Sequence, residues 1–413
     1  MFGKTIKIKK CRACASTSIK TFFDLGAHPL ANRLLKNPSE REERYPLSLS
    51  FCLECCLAQL NHTVPPKKLF SKYIWVTGTS KGANIFALKF CEQLLSKQKF
   101  SKNSFVFEVA SNDGTFLRPF QNKGFRVLGA DPAKNIVEMA RKKGIPTERM
   151  FFGKSAAKKI IGKYGKADIV FARNVLAHAA DTRDFIEGLK EVLSDDGILT
   201  IEVHYGGDIL NGLQYDSIYH EHLCYFTLKS VERALNEFGL HVFDVSRGPI
   251  SGGALIVYAR KWKGQEASSV KKSRREEARK KINNFQTWRV FAKLAYNHRD
   301  KLSAMVNWQT SRGLRIAGYG ASARSSTLLN FCRLNNHQIL AIGDSNKLKQ
   351  GLYTAGSHIP IYSAEKMLFL SPDIIFLLAW NFKDEIINTL KNKFNYKGGY
   401  IIPLPYKPKI IKK

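Results

Sequence analysis

Apolar positions along the chain gather into short runs separated by turn residues and by stretches with helical spacing. Residues 104–110 (SFVFEVA), 126–131 (RVLGAD), 167–174 (ADIVFARN) and 197–204 (GILTIEVH) read as buried strands. Helical stretches from Thr115 and over 133–143 separate the first three, and strand-like runs follow at 240–245 and 254–260. Strands alternating with helices predict a doubly wound, mostly parallel α/β sheet, because parallel neighbours need a crossover between them. Residues 261–301 are rich in Lys, Arg and Glu with few breakers, which predicts one long exposed helix. A second, Rossmann-like lobe follows. Residues 314–320 enter a glycine turn, 321–327 open a helix, and 340–344 and 373–379 are further strands. The pattern divides the chain into a cysteine-bearing module at 1–70, a sheet domain at 71–260, a helical linker at 261–300 and a C-terminal lobe at 301–413.

With 413 residues, 44% of them hydrophobic, the chain can bury the cores of two or three domains. It carries 66 Lys and Arg against 34 Asp and Glu, an excess of +32. Such an excess first suggests a nucleic-acid partner. Yet 19 of those charges lie in residues 1–20, 261–281 and 391–413. That distribution reads as a lysine-rich solvated periphery, and no nucleic acid is expected. No apolar run approaches the roughly 18–20 residues of a membrane span, and the N-terminus shows no apolar signal-like core. A cytoplasmic monomer with no membrane partner is the expectation.

Eight cysteines are too few for a disulfide scaffold in a chain of this length. Four of them form two pairs, Cys11–Cys14 and Cys52–Cys55, each with two residues between. Two such knuckles can close four thiolates around one zinc, leaving no open position for catalysis. Cys56 is read as an extra neighbour, not a ligand.

In an open α/β sheet, ligands bind at the carboxyl ends of the strands. Two of those ends stand out. Glu108 leads through a small-residue turn to Gly114, and Asp131 ends the next strand, where its carboxylate can accept both hydroxyls of a ribose. The turn is not GxGxxG, and Glu108 and Asp113 would repel a pyrophosphate. A cationic ligand without phosphate, S-adenosylmethionine, fits better than NAD. Further along, Tyr219, His220, Glu221 and His222 place three titratable groups and a phenol in four residues. Their i, i+2 histidines do not match a helical metal motif, so acid–base chemistry is the favoured reading. His178 follows another strand end and can converge on the same cleft. In the C-terminal lobe a glycine turn, hydroxyls and Arg324 at a helix start make a phosphate cradle plausible; the lobe could equally be structural.

Taken in order, CRAC and CLEC, LGAHPLAN (25–32), YIWVTGTS (73–80), EVASNDGTFL (108–117), GADPAKN (129–135), ADIVFARNVLAH (167–178), YDSIYHEHLCYF (215–226), GYGASARSSTLLN (318–330) and IIPLP (401–405) resemble the sugar C-methyltransferase family. Its members are S-adenosylmethionine enzymes that methylate C-3 of nucleotide-linked 4-keto-6-deoxyhexoses. The resemblance implies a zinc-binding module, a central class I methyltransferase domain and a Rossmann-like lobe that helps hold the nucleotide sugar. It implies cofactor contacts at Glu108, Asn112, Asp113, Gly114, Asp131 and Asn174, and substrate-side residues Tyr73, His178, Tyr219, Glu221 and His222. Tyr319, Arg324 and Lys347 would lie toward the nucleotide. Trp75, Ala110 and Arg324 stand where the family often has Tyr, Gly and Lys. The chemistry expected is proton removal at C-3 by His222, oriented by Glu221, with Tyr219 or Tyr73 donating to the enolate oxygen. The rivals are a methyltransferase for another acceptor, an NAD(P)-dependent sugar-nucleotide oxidoreductase and a zinc-bearing nucleic-acid binder.

Overall fold

The computed structural model describes residues 3–71, 75–249 and 253–411. The first module carries strands β1 (Ile6–Lys7), β2 (Ile19–His28), β3 (Tyr45–Cys52), β4 (Ala58–Leu60) and β5 (His62–Thr63). Strands β2, β3 and β4 form an antiparallel meander, and β1 pairs with β5 beside it. In β2, Phe23 and Leu25 point inward between exposed Thr21, Asp24 and Gly26. This alternation gives the sheet one buried face.

The middle domain supplies β6 (Phe105–Val109), β7 (Arg126–Asp131), β8 (Thr147–Arg149), β9 (Ala167–Arg173) and β10 (Leu193–His204). After these come β11 (Cys224–Tyr225), β12 (His241–Gly248) and β13 (Ala254–Arg260). Seven of them make one sheet in the order β8-β7-β6-β9-β10-β13-β12. The ladders from β8 to β10 are parallel, and β13 runs antiparallel to both its neighbours. Every residue of β6 is buried, as a parallel strand covered on both faces requires. The chain moves from β6 to one side and returns to β9 on the other. This switch opens a crevice at the carboxyl ends of β6, β7 and β9.

Strand β11 belongs elsewhere. It leaves the middle domain and pairs with β4, Cys224 opposite Gln59 and Tyr225 opposite Ala58. The histidine-rich segment before it is thereby fixed between the middle domain and the zinc module.

The linker differs from the expected single exposed helix. It forms two helices, Ser268–Arg279 and Phe285–Ser311, broken by a turn in which Lys281 is left-handed and Asn284 caps the second helix. The second helix buries Trp288, Phe291, Ala292 and Ala295, an i, i+3, i+4, i+7 stripe. Phe22, Phe23 and Phe51 of the first module pack on it. The C-terminal lobe holds β14 (Ile316–Tyr319), β15 (Ile342–Gly343), β16 (Ile361–Tyr362), β17 (Ile374–Leu377), β18 (Gly399–Ile402) and β19 (Lys409–Ile411). They form a sheet in the order β16-β15-β14-β17-β18-β19, parallel except for β19. One hydrophobic core runs through all three domains.

Candidate active site

The two cysteine knuckles share one backbone pattern. Ala15 N–H donates to the Cys11 carbonyl and Cys11 N–H to Ser16; Cys56 N–H donates to Cys52 and Cys52 N–H to Leu57. Ala15 and Cys56, each just past the second cysteine, are both left-handed, with φ of 58° and 63°. The four sulfurs of Cys11, Cys14, Cys52 and Cys55 lie within 4.8 Å of one another. The Cys11–Cys55 and Cys14–Cys52 separations are 3.5 and 3.6 Å. Sulfur–zinc bonds of about 2.3 Å in a tetrahedron place sulfurs about 3.8 Å apart. The set fits a closed structural zinc site, and Cys56 is no part of it.

At the carboxyl ends of β6, β7 and β9 lies a cavity of about 630 Å3, lined by Glu108, Asn112, Asp131, Asn174 and His178 among others. The loops here bend sharply: Ala110, Asn112 and Asn174 all have φ of 50–55°. Asp131 accepts Asn112 N–H at 3.1 Å and Ala133 N–H at 2.9 Å, one on each carboxylate oxygen. Asn112 accepts Thr77 N–H at 2.8 Å and donates to the Trp75 carbonyl, which closes that side of the cavity. Glu108 is buried, and its Oε2 has no hydrogen-bond partner among the described residues. Burial pushes its carboxyl well above the usual range, opposed by nearby Arg173. An orphaned acceptor beside a second buried carboxylate suits a ligand rich in donors and carrying positive charge. Asp113 and Gly114 do not line the cavity. The Asp113 carboxylate lies beneath it, accepting Gly78 N–H and Thr115 Oγ1 and pairing with Lys143. A Cβ on Gly114 would stand 2.7 Å from Ile145, at a φ of 77°.

A second cluster of site candidates is built on a turn. His222 N–H donates to the Tyr219 carbonyl, so residues 219 and 222 stand side by side. Their rings lie 4.0 Å apart, and Tyr219 Oη is 2.7 Å from His222 Nε2. His222 Nδ1 lies 2.9 Å from the Ser217 carbonyl, which can only accept. The proton therefore sits on Nδ1, and Nε2 offers its lone pair to the Tyr219 hydroxyl. Burial, with His178 and His204 nearby, holds the His222 pKa well below its ordinary value, so the ring is neutral. The His178 ring is 5.0 Å from that of His222 and links this pair to the cavity.

Glu221 does not orient His222, contrary to the sequence expectation. The turn sends it toward the zinc module, where Asn32 donates to Oε1 at 2.6 Å and burial pushes its carboxyl up to about 7. The Ser217 carbonyl holds the histidine instead. His204, at the end of β10, was not anticipated; its ring is 6.3 Å from His222, and Nε2 bonds Gln214. Its position at a strand end in the sequence was the available signal. Tyr73 lies outside the described residues.

Arg324 is engaged by protein and does not form an open cradle. Its guanidinium makes a bidentate pair with Asp216, at 2.9 and 2.8 Å, and reaches Gln214. Trp380 Nε1 donates to the same carboxylate at 2.8 Å. Tyr319 is half-buried over Gly343, and Lys347 is exposed. Lys349 turns inward to the Ala321 carbonyl at 2.7 Å. The C-terminal lobe also sends Phe382 to the wall of the cavity.

Three family models cover the chain: a zinc binding domain over 11–70, a methyltransferase domain over 86–245 and a C-methyltransferase C-terminal domain over 249–405. The C-methyltransferase NovU of Streptomyces niveus is 32% identical over 408 residues, covering 98% of this chain and 97% of that protein. The chain belongs to the S-adenosylmethionine-dependent C-methyltransferases. A ubiquinone biosynthesis O-methyltransferase of Bartonella bacilliformis is 26% identical over 100 residues, 23% of the C-methyltransferase chain and 39% of that protein. Among solved structures, magnesium protoporphyrin IX methyltransferase from Synechocystis with bound SAH aligns at a TM-score of 0.34 and 15% identity, covering 43% of this chain and 84% of that one. Among the described residues, no helix of the C-methyltransferase is long and apolar enough to cross a membrane.

Buried histidines of this C-methyltransferase govern its acid sensitivity. Burial lowers His28, His178 and His220 to about 4, His204 to about 3, and His222 well below its ordinary value. Below about pH 6.5 the unfolded chain binds protons that the folded one refuses, so stability falls as pH drops from 6.5 toward 4. Each group contributes up to about 1.4 kcal/mol per pH unit. Glu221 acts oppositely: with its folded value raised, its contribution is lost as pH rises through about 7. Glu108, also raised, acts with Glu221, but the buried histidines outnumber these two strongly raised carboxyls, so the urea midpoint is expected to fall between pH 7 and pH 5. An unchanged midpoint would refute this.

Proposed function

We propose that the enzyme methylates C-3 of a nucleotide-diphosphate-linked 4-keto-6-deoxy sugar, in the making of a branched-chain deoxysugar. The observation that carries this reading is the Tyr219–His222 pair, a neutral histidine with its basic nitrogen against a phenol, next to the cofactor cavity. Carbon beside a ketone becomes nucleophilic only after losing a proton, which needs a base and a donor to the ketone oxygen. A bound 4-keto sugar takes the Tyr219 hydroxyl as donor to its C-4 oxygen. That exchange frees His222 Nε2 to remove the C-3 proton. His178 contacts the acceptor between these groups and the cavity. S-adenosylmethionine supplies an electrophilic methyl on a sulfonium. The chain's part is to hold C-3 in line with it. NovU, a C-methyltransferase over the whole length, supports carbon as the acceptor atom.

The cofactor contacts proposed are Asp131 to the ribose hydroxyls and Glu108, Asn112 and Asn174 around the remainder, with Asp113 and Gly114 supporting from below. Asp131→Asn is expected to weaken S-adenosylhomocysteine binding about 10- to 100-fold, the value of a charge-assisted bond or two. Titration calorimetry measures it; wild-type affinity would remove Asp131 from the site. The function itself is tested with labelled S-adenosylmethionine and a panel of nucleotide 4-keto-deoxysugars, followed by mass spectrometry. The result expected is one added CH2 at C-3 of a 4-keto sugar. Label transferred only to oxygen, nitrogen or a non-sugar acceptor would overturn it.

A further inference from the structure

Arg12 lies inside the first zinc knuckle, between Cys11 and Cys14, yet its side chain turns away from solvent and is 8% exposed. No carboxylate pairs with it among the described residues. Its guanidinium donates to the carbonyls of Ala180 at 3.1 Å and Leu60 at 3.2 Å, and to Thr63 Oγ1 at 2.8 Å. Burying a cation without a carboxylate is costly. Four thiolates on one divalent zinc leave two net negative charges, and Arg12 sits between two of those thiolates in sequence. Cys224 and the zinc ligand Cys11 both act on the guanidinium, so a zinc-held thiolate at Cys11 would add negative charge that the buried cation otherwise lacks.

What Arg12 grips is the wall of the cofactor cavity. His178, Ala179, Ala180 and Asp181 all line it. A reciprocal bond runs back, from Arg183 Nη1 to the Ala13 carbonyl at 3.0 Å. A third tie lies alongside, with Leu60 N–H donating to Leu223 and Leu223 N–H to Ala177, at 2.9 and 2.7 Å. The zinc knuckle, the residue after His222 and the residue before His178 thus share one hydrogen-bonded strip.

We propose that Arg12 is a positioning residue that couples the zinc knuckle to the cavity wall at 176–181, and so sets the place of His178. The zinc module then acts as a clamp on the methyl-transfer chamber. Outer groups around a metal site commonly transmit its geometry in this way.

The test uses the full-length protein with zinc content measured. Arg12→Met is expected to keep its zinc, to exchange amide hydrogens in 176–181 about tenfold faster, and to leave exchange in β6 and β7 unchanged. Its affinity for S-adenosylhomocysteine should fall several-fold, with Arg12→Lys recovering part of the loss. A global loss of stability would instead raise exchange everywhere. If Arg12→Met loses zinc or fails to fold, Thr63→Val decides. It removes one acceptor, and exchange in 176–181 should rise at least about twofold with zinc retained. Wild-type exchange at 176–181 in the zinc-loaded variant that folds would overturn the proposal.

Discussion

Replacing His222 with asparagine is expected to lower methyl transfer about 10²- to 10⁴-fold, the usual worth of a positioned general base. S-adenosylhomocysteine should bind as before, because His222 is not among the cavity-lining residues. The geometry sharpens the expectation. Asparagine can still meet the Ser217 carbonyl that holds Nδ1, but it offers no lone pair of comparable basicity where Nε2 stands. Tyr219→Phe removes the hydroxyl 2.7 Å from Nε2 and should also slow the reaction. The double variant should be little worse than His222→Asn alone, because the two groups act as one unit. Exchange of the C-3 proton of the 4-keto sugar into deuterated water, followed without methyl donor, isolates the base. Wild-type exchange in His222→Asn would assign the base elsewhere.

The largest loss of stability is expected from Asp216→Ala. This carboxylate is 1% exposed and joins three elements: Arg324 and Trp380 of the C-terminal lobe, and its own segment beside the Tyr219–His222 turn. Deleting it strips a buried carboxylate from a guanidinium only 14% exposed, which costs about 3–5 kcal/mol. Asp216→Asn retains an acceptor for Trp380 and should lose less. Urea denaturation measures both. A change below about 1 kcal/mol for Asp216→Ala would mean that the pair contributes no more than a surface ion pair.

Most of the scaffold was legible in the sequence because its central strands are short, largely buried and bounded by turn residues. The strands at 126–131 and 254–260 appear at the expected residues. Strand β8 escaped notice because Thr147–Arg149 is polar and only three residues long, and its pairing with β7 makes it a strand. The linker misled for the opposite reason. Charge averaged over 261–301 masked the apolar stripe from Trp288 to Ala295 that docks on the zinc module. At the site, the Tyr219–Glu221–His222 cluster was visible as composition, but its wiring was not. Neighbours in a turn point in different directions, so Glu221 meets Asn32 while His222 meets Tyr219. Arg324 was read as a phosphate ligand because its partner, Asp216, is distant in sequence. Arg12 met the same limit: its contacts lie some fifty and more residues away.

A ribosome making this chain finishes both cysteine knuckles long before it makes Cys224 and Tyr225. Until then β4 is an uncovered sheet edge, with Gln59 and Ala58 waiting for partners that the middle domain has yet to supply. Zinc can close the knuckles early, but the sheet beside them stays open to pairing with other chains. The zinc module is thus made well before the strand that completes its sheet.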